Sequence, residues 1–586
     1  MPLTRRNPCE LEIDLFCSGA RLDPSCTLEG DARRVARTRA GLGSGLEIVI
    51  PGPLKDIWMN VPVEEDFASD SPYTVGRDDR GYYVKDTRSG YAYPVRIPEE
   101  PEWYGRRTAR GTEMAKVGVL QGTYLGIYIA NSCLFWYSDP PMNCRFCTTG
   151  SNVGVNEVAQ KDLADVVEVA RAAKSESGVT FVHLNSGHQA GRDLALAEPY
   201  VRALKEEVGV LVGVQLMPSK DLSQYDRLVE LGVDHFSFCY EFQNPDYFAR
   251  YLPGKERWFG QKAFFDSMEH CARLLGKGAV SGEIIAGVEP IEDTMRAIDY
   301  ITGIGAFPTV CIFRPVIGAE MERQAPPRYD EMRAVFAHVY EACRKNRIPI
   351  GAAPNIEVSL VVQPDDTRYL ANSGAATWAY ETFLKAARVA ARPIFGRKMR
   401  AMSREAKTAA ASSATSRSAN GGPAVHAAGS QVEAANGAAS EPPSAAPHTA
   451  AAPNAAAAPL SVEAAEAALD AVFARLRRTA ERSPDRFTFE ERKGILELAP
   501  GAAGRDRCRM KVFRPREGKE RLCAFFYKRS NLAWSQDRYS YGAVEFLPGQ
   551  VSDEDMGAWL EWLAGGFDPD RRPARLKKAF LYSIPE

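Results

Sequence analysis

Three cysteines stand at a spacing that suits an iron–sulfur cluster. Cys144 and Cys147 form a C-x-x-C pair with the aromatic Phe146 directly before the second cysteine, and Cys133 precedes the pair by ten intervening residues. Cluster irons are bound by cysteine thiolates, and three thiolates leave one iron of a four-iron cluster open. An open iron can bind and activate a small molecule, which would make this chain an enzyme.

Two other uses of these thiols stay open at this point. A structural zinc ion normally takes four protein ligands, often as two close pairs, and the sequence has no second C-x-x-C. The histidine pair at finger spacing, His183 and His188, begins inside an expected strand, and core or turn positions are expected for both. A dithiol of thioredoxin type would leave Cys133 unexplained. A cluster therefore accounts for more of the residues.

The composition is that of a globular protein with room for more than one domain. Of 586 residues, 45% are apolar and 25% charged, and the formal net charge is −2. That balance predicts no bulk affinity for nucleic acid or for membranes. No apolar stretch reaches the roughly 18 residues of a membrane span, and no apolar signal core follows the first residues. We expect a cytoplasmic protein with reduced thiols.

Both flanks of the central region differ from it in composition. Residues 1 to 115 contain short apolar runs, at 46 to 50 and 81 to 86, broken by Gly, Pro and Asp. They predict a small, partly β accessory region whose cysteines, near the terminus, are ordinary thiols. Residues 401 to 460 are rich in Ala, Ser, Pro and Gly and almost without large apolar side chains. Burial cannot offset the ordering entropy of such a segment, so a disordered linker is predicted.

A separate C-terminal α+β domain is predicted over residues 461 to 586. An amphipathic helix at 462 to 483 is followed by five strand-like runs and by a helical pattern at 555 to 567. Nothing in this domain assigns it a role. Cys508 and Cys523 are expected to be core thiols.

Between the flanks, strand-like and helix-like segments alternate. Apolar runs predict strands at 123–130, 180–185, 210–217, 235–240, 282–287 and 309–315, with a weaker seventh at 348–353. Residues 162 to 174 show helical spacing of apolar residues. This alternation indicates βα units with parallel strands, so the fold class predicted for residues 116 to 400 is α/β.

In this setting the cysteine run resembles the cluster motif of the radical S-adenosylmethionine (radical SAM) superfamily. The usual motif is C-x3-C-x-aromatic-C, placed after the first strand of a partial (β/α)6 barrel like that of biotin synthase. Here Phe146 stands at the aromatic position, but the first gap has ten residues in place of three. Lengthening the loop costs only about 1 kcal/mol. The resemblance implies a [4Fe-4S] cluster on Cys133, Cys144 and Cys147.

The inserted residues are expected to form part of the site. Pro140 and Pro141, with the aromatic Trp136 and Tyr137, should stiffen the enlarged loop. A stiff loop would hold Cys133 in place, and the two aromatic side chains would help to shape a substrate pocket.

The resemblance places the chemistry at the C-terminal ends of the strands, where this chain has small and polar residues. It implies that Ser186 and Gly187 meet the amino group of S-adenosylmethionine, although the usual Gly-Gly-Glu is absent and only Gly187 clearly corresponds. Gln215 ends the third strand and Glu241 the fourth. Glu241 is expected to accept hydrogen bonds from the nucleoside, with capping of the next helix as the alternative.

Two further candidates follow the fifth and sixth strands. Residues 281 to 290 are similar to the family pattern G-x-I-x-G-x-x-E, in which Gly287 would let the backbone approach the adenine. Arg314 offers a cation for the methionine carboxylate or for a substrate anion, unless it pairs with Glu283 across the barrel. Cys239 alone is expected to be well placed for an auxiliary cluster, because Cys311 and Arg314 point to opposite faces of one strand. No second cluster is therefore predicted.

The resemblance also implies a reaction and its partners. A reduced cluster would cleave S-adenosylmethionine to a 5′-deoxyadenosyl radical, which would abstract hydrogen from a small-molecule or peptide substrate. A flavodoxin or ferredoxin would donate the electron. Methyl or aminocarboxypropyl transfer at the same cluster is one alternative, and a zinc-stabilised binding scaffold without catalysis is another. Such barrels support many reactions, so the sequence identifies neither the substrate nor a catalytic residue.

Overall fold

The structure is a computed structural model of the chain. It describes residues 5–26, 36–37, 44–154, 156–419, 470–478, 486–492, 495–500, 508–513, 522–529, 538–546, 551–567 and 573.

The N-terminal region combines two helices with two small sheets. Its elements are α1 (Pro8–Ser18), β1 (Arg21–Leu22), β2 (Ala36–Arg37), β3 (Ser44–Ile50), β4 (Ile57–Val61), β5 (Tyr73–Asp78), β6 (Gly81–Asp86), β7 (Ala92–Pro94) and α2 (Met114–Val117). Strands β2, β3 and β4 form one sheet, and the other has the order β1-β5-β6-β7. Helix α1 begins at a capping box between Asn7 and Glu10, with Pro8 at its first position. Cys9, Cys17 and Cys26 are buried thiols.

Six parallel strands form the central sheet, and a short antiparallel strand borders it. The strands are β8 (Val119–Leu120), β9 (Leu125–Tyr128), β10 (Phe181–Asn185), β11 (Leu211–Gln215), β12 (His235–Glu241), β13 (Val280–Ala286) and β14 (Phe307–Ile312), side by side in chain order. Strand β8 pairs antiparallel with β9, and the others are parallel. The predicted α/β partial barrel is confirmed.

Helices connect the strands and cover the outside of the sheet. They are α3 (Thr149–Asn152), α4 (Leu163–Glu176), α5 (Glu198–Ala203), α6 (Ser223–Glu230), α7 (Pro245–Tyr251), α8 (Pro253–Trp258), α9 (Gln261–Leu275), α10 (Ile291–Gly303), α11 (Tyr329–Lys345) and α12 (Ala375–Ala419). Short 3-10 turns occur at Asp66–Asp70, Glu102–Gly105, Leu134–Trp136, Ala195–Ala197 and Asp366–Leu370, and a π turn occurs at Leu204–Val208.

The seventh strand expected at 348–353 does not form. These residues make turns, and Pro349 has no N–H for a strand ladder. Helix α12 also extends through residues 401–419, the first part of the predicted linker. The rest of that linker, 420–460, lies outside the described residues.

The C-terminal residues form an antiparallel sheet with two helices. Residues 470–478 form α13, followed by β15 (Phe487–Arg492), β16 (Ile495–Pro500), β17 (Cys508–Phe513), β18 (Leu522–Arg529), β19 (Arg538–Phe546) and α14 (Asp553–Ala564). The five strands pair in chain order, and both helices contribute to a core of their own on this sheet. This is the α+β arrangement expected, although residues 462–469 and 479–483 of the predicted first helix lie outside the described residues.

No helix in the described part of the chain is long and apolar enough to cross a membrane.

A buried carboxylate lies where the N-terminal region packs on the barrel. Glu47 on β3 accepts hydrogen bonds from the Ser359 hydroxyl at 2.9 Å and from the Gly122 N–H at 3.4 Å. Burial disfavours its charged form and raises the pKa of Glu47 to about 7, although both hydrogen bonds act in the opposite direction. Between about pH 4.5 and pH 7, Glu47 is therefore protonated in the folded chain and ionised in the unfolded chain.

We expect Glu47→Gln to reduce the pH dependence of stability in that window. The folded wild type binds more protons than the unfolded chain, so its unfolding free energy falls as pH rises from about 4.5 to about 7, by on the order of 3 kcal/mol from this group. Burial also raises the pKa of Asp366 to about 7. Part of the change of unfolding free energy with pH should therefore remain in the variant. Urea unfolding at pH 5, 6 and 7 measures it, with exposed Glu99→Gln as the control. A slope equal to that of wild type would contradict the assignment.

Candidate active site

The barrel encloses one cavity of about 620 Å³ that the three cysteines line. Parallel pairing in register places alternate residues of neighbouring strands on the inner face. On that face lie His235 and Cys239 of β12, Glu283 of β13 and Cys311 of β14. The volume of the cavity is within the range of small-molecule sites.

The enlarged loop after β9 is fixed by backbone hydrogen bonds. Leu134 N–H donates to the His188 carbonyl at 3.0 Å, and Met142 N–H donates to the Phe135 carbonyl at 2.9 Å. Gly254 of α8 packs so tightly here that a Cβ would lie 2.5 Å from the Phe135 ring. The loop is thus held at both ends, in line with the stiffness expected from the sequence.

The two aromatic residues of this loop have different positions. Trp136 is buried and lines the cavity, whereas 52% of Tyr137 is exposed, and Tyr137 is not among the lining residues. Of the two, the structure brings Trp136 to the site.

All three cysteines line the same cavity, and backbone N–H groups point at two of the thiols. His188 N–H donates to Cys133 Sγ at 3.3 Å, and Thr149 N–H donates to Cys147 Sγ at 3.4 Å. Burial raises the pKa of Cys133 to about 12 and that of Cys144 well above its ordinary value, and each is raised further by the charge of Cys147. Burial therefore favours the protonated forms of Cys133 and Cys144 in the absence of metal. Iron must displace those protons, and the N–H donors would then stabilise the thiolates.

A glycine leaves room for the first cysteine. A Cβ on Gly187 would lie 2.3 Å from Cys133 Cβ and 2.9 Å from its Sγ. Gly187 N–H donates to the Tyr128 hydroxyl at 2.9 Å, which fixes the turn after β10 beside the thiol. The predicted role of Gly187 near the amino group of S-adenosylmethionine stays a prediction, but the glycine is required by the approach of Cys133.

Two neighbouring polar atoms lack partners within the described residues. Asn185 Oδ1 and the Ser186 hydroxyl are buried without a hydrogen bond, and both residues line the cavity beside Cys133 and Gly187. Buried polar groups normally have a partner. These atoms fit a bound polar ligand such as S-adenosylmethionine.

The thiols also fit a cluster better than a single ion. Among the described side chains, no group of three or more His, Cys, Asp or Glu is close enough to hold one metal ion. Tetrahedral zinc needs four ligands around one centre. In a cluster each thiolate binds a different iron, so the sulfurs need to share a cavity and not a single point.

Phe146 and Gln215 also line the cavity. Phe146 makes an edge contact with Phe242 at 6.2 Å between ring centroids. Gln215 Nε2 donates to Glu283 Oε2 at 2.7 Å and also contacts Cys239 Sγ. The structure therefore brings together Phe146, Ser186, Gly187, Gln215 and Glu241 with the three cysteines.

Glu241 forms a buried ion pair that no sequence pattern indicated. Lys255 Nζ, on α8, lies 2.7 Å from both carboxylate oxygens of Glu241 and donates to the Cys239 carbonyl at 2.6 Å. Burial raises the pKa of Glu241 to about 7 against the opposing effect of Lys255. Burial lowers the pKa of Lys255, but Glu241 and the neighbouring Cys144 outweigh it and raise it above the ordinary value. The Glu241 carboxylate is thus paired with the Lys255 ammonium, which lies beside Cys144.

Gly287 and Arg314 are not among the residues that line the cavity. A Cβ on Gly287 would collide with Pro327 at 2.2 Å, so the glycine provides space for the chain itself. Arg314 Nε lies 2.6 Å from Glu65 Oε1, a residue of the N-terminal region. Strand β14 ends at Ile312, so strand alternation does not aim Arg314 inward. The alternative pairing with Glu283 is not formed either.

The lumen contains a hydrogen-bonded group around Glu283. Cys239 Sγ donates to Glu283 Oε2 at 2.8 Å, and the Ser237 hydroxyl donates to Oε1. Cys311 lines the same cavity, so the expectation that Cys239 alone is well placed was wrong. Positions 307, 309 and 311 of β14 all alternate inward.

A curated protein is related to the chain in sequence. Bacteriochlorophyllide c C-7(1)-hydroxylase of Chlorobaculum limnaeum is 23% identical over 258 residues, which are 40% of this chain and 63% of that protein. The chain thus spans less than two thirds of this relative. No family model matches.

Solved structures were also matched. A radical SAM methyltransferase from Sphaerobacter thermophilus is 13% identical, with 46% of this chain and 75% of that one covered and a TM-score of 0.30. The radical S-adenosylmethionine methyltransferase TsrM from Kitasatospora setae is 14% identical, with 54% and 72% covered and a TM-score of 0.29.

The parallel half-barrel, the cysteine loop after its first parallel strand and the related sequence agree with one another. The half-barrel and the position of the loop are the features expected from the resemblance to the radical SAM superfamily. The curated relative is named as an enzyme. Within this site, sequence reasoning missed Lys255, and it considered Glu283 only as a partner for Arg314. Alternation with Ser281 and Ile285 could have placed Glu283 on the inner face.

We expect Gly187→Ala to weaken iron binding without unfolding the chain. The added Cβ would displace Cys133, and disturbing the support of a ligand typically costs about 10- to 100-fold in metal affinity. Iron per chain after anaerobic reconstitution and a chelator challenge measures the effect. Gly303→Ala is the matched control, because nothing lies within 4 Å of its added Cβ. Equal iron retention by the two variants would refute this role of Gly187.

We expect Lys255→Met to destabilise the fold by about 3–5 kcal/mol, because it leaves the Glu241 carboxylate buried and unpaired. Adding Glu241→Gln should recover part of the loss. Urea unfolding at neutral pH measures both variants. Lys262→Met removes an exposed ammonium that pairs with Asp266 on the same helix and should change stability by no more than about 1 kcal/mol. Equal losses for the two lysines would count against a buried pair.

Proposed function

We propose that the chain binds a [4Fe-4S] cluster on Cys133, Cys144 and Cys147 and cleaves S-adenosylmethionine reductively, then abstracts hydrogen from a substrate. When bound, the reduced cluster supplies the electron that splits the sulfonium into methionine and a 5′-deoxyadenosyl radical. An external reductant such as a flavodoxin or ferredoxin would supply that electron.

One observation carries most of the support. The three thiols and the unpartnered polar atoms of Asn185 and Ser186 line the same cavity, at the C-terminal end of the parallel strands. Ligand sites of α/β barrels lie at that end. A cluster on the thiols would therefore stand beside groups that need a polar ligand.

Each neighbouring residue has a part in this proposal. The Asn185 oxygen accepts, and the Ser186 hydroxyl donates or accepts, hydrogen bonds from the polar groups of S-adenosylmethionine. Phe146 packs against its apolar surface. The backbone N–H groups of His188 and Thr149 stabilise thiolate charge on Cys133 and Cys147.

The Lys255–Glu241 pair acts as a positioning element. It is buried beside Cys144 and is bonded to the Cys239 carbonyl, so it links α8 to the end of β12. Its ammonium also places a positive charge near the thiolates, which favours their ionised form.

The name of the curated relative supports hydrogen abstraction over group transfer. That protein is named as a hydroxylase, and hydroxylation replaces hydrogen on carbon. Methyl or aminocarboxypropyl transfer would yield different products from S-adenosylmethionine, so product analysis separates the three reactions.

We expect the reconstituted chain, given S-adenosylmethionine and dithionite without oxygen, to release 5′-deoxyadenosine. Cys144→Ala should lose the cluster and reduce this product by at least about 100-fold, because a cluster ligand is removed. Liquid chromatography with mass detection measures the product, and iron analysis measures the cluster. The control is Cys343→Ala, since Cys343 is a buried thiol of α11 outside the cavity.

Three results would contradict the proposal. Binding of stoichiometric zinc without iron uptake would favour a zinc-stabilised binding scaffold without catalysis. S-adenosylhomocysteine or methylthioadenosine in place of 5′-deoxyadenosine would indicate group transfer. Equal product from Cys144→Ala and Cys343→Ala would remove Cys144 from the site.

A further inference from the structure

Below the cysteines, the lumen contains a carboxylate without a cationic partner. Glu283 accepts hydrogen bonds from Gln215, Cys239 and Ser237, all of them neutral donors. No Lys or Arg of the described chain lies within ion-pair distance of it, and the nearby Lys255 is engaged by Glu241. A buried carboxylate normally has a charged partner. Here it faces the cavity.

Under Glu283 the lumen is lined by a layer of rings, which we call the aromatic floor: Tyr124, Phe181, His183, His235 and Phe307. Phe181 stacks on His183 with centroids 5.8 Å apart, and His235 stacks on Phe307 at 5.6 Å. Gly213 makes room for this packing, since a Cβ there would lie 2.5 Å from the Phe181 ring.

The floor carries no charge that would compete with Glu283 for a cation. Burial lowers the pKa of His183 to about 3 and that of His235 to about 4, so both rings are neutral near pH 7. Burial raises the pKa of Glu283, and a bound ammonium would offset that burial cost. The other carboxylates of the cavity lining each pair with a lysine: Glu241, Asp234 and Asp365. Among the described lining residues, Glu283 is the carboxylate without such a partner.

Hydrogen bonds connect the two parts. The Ser281 hydroxyl donates to the Ser237 hydroxyl at 2.9 Å and lies 3.4 Å from His235 Nε2, and Ser237 donates to Glu283. Glu283 pairs with Thr309, two residues above Phe307. The backbone of Glu283 therefore lies about 7 Å along the strands from the level of Phe307.

We propose that this lumen is the substrate pocket and that it takes a flat aromatic molecule with a basic nitrogen on a short side chain, the ring on the aromatic floor and the ammonium on Glu283. The inference rests on the proposed function and adds the substrate class. It makes Glu283 a specificity-determining residue. The carbon that bears the nitrogen would then lie on the side of the pocket nearest the cysteines.

The test measures the binding of two matched probes to the full-length chain by titration calorimetry, with and without reconstituted cluster. Tryptamine has the ring and the amine, and 3-ethylindole has the same ring without the amine. Wild type should bind tryptamine at least about tenfold more tightly, as expected for a charge-assisted hydrogen bond.

Glu283→Gln should remove that preference and leave the affinity for 3-ethylindole within about twofold. Phe307→Leu should weaken both probes. Glu292→Gln, on the exposed face of α10, should bind both as wild type does. Circular dichroism checks that each variant is folded, and the comparison of the two probes on wild type stands without any variant.

The outcomes are distinct from those of the cluster assay. Three results would each overturn the inference, even if 5′-deoxyadenosine is formed. The first is equal affinity of wild type for the two probes, and the second is no binding of either probe at millimolar concentration. The third such result is a folded Glu283→Gln variant that keeps its preference for tryptamine. If the preference holds but no 5′-deoxyadenosine is made, the proposed function fails and the pocket assignment stands.

Discussion

The alternation of side chains along six parallel strands is the constraint on which the rest of the structure depends. The strands pair in parallel, with a register shift between Cys239 and Glu241, so alternate residues of neighbouring strands face one lumen. Their outward positions pack against helices and must be apolar, so polar side chains can stand only on the inner face. Ser237, Ser281 and Glu283 do so, and they satisfy one another there. The chemistry of the cavity follows from the positions that this alternation leaves open.

At the C-terminal ends of the strands, the conformation of the loops depends on contacts outside the strand pattern. The long cysteine loop is pinned by His188, whose carbonyl accepts from Leu134 and whose N–H donates to Cys133 Sγ. The helix α8 reaches the same place from the other side, with Gly254 against Phe135 and Lys255 on Glu241. A residue in the left-handed region is unusual outside glycine, and Glu241 has φ of 56°. The buried ion pair offsets that strain and sets the end of β12.

Much of this architecture was predictable from the sequence, and the failures have physical causes. Apolar runs predicted all six parallel strands because strands covered on both faces have continuous apolar sequence. The expected seventh strand does not form because Pro349 has no N–H to donate to a neighbouring strand. Glu241 and Gln215 were found because they end strands, whereas Lys255 lies on a helix, and no local pattern reveals which helical lysine is folded inward. Gly287 and Arg314 lie beyond the last paired residues of their strands, where alternation no longer fixes direction.

The two ends of the cavity make different demands on a ligand. At the cysteine end, Asn185 and Ser186 leave polar atoms unpartnered, whereas neutral rings line the cavity beyond Glu283. Glycines make both ends possible, Gly187 by admitting Cys133 and Gly213 by admitting Phe181. A single polar molecule could satisfy only the first end, and an apolar one only the second. Glu283 lies between them with both oxygens held in place by neutral donors, so its charge faces whatever occupies the middle of the lumen. A cavity graded in this way is suited to two ligands that meet near Glu283, one of them polar and the other largely aromatic.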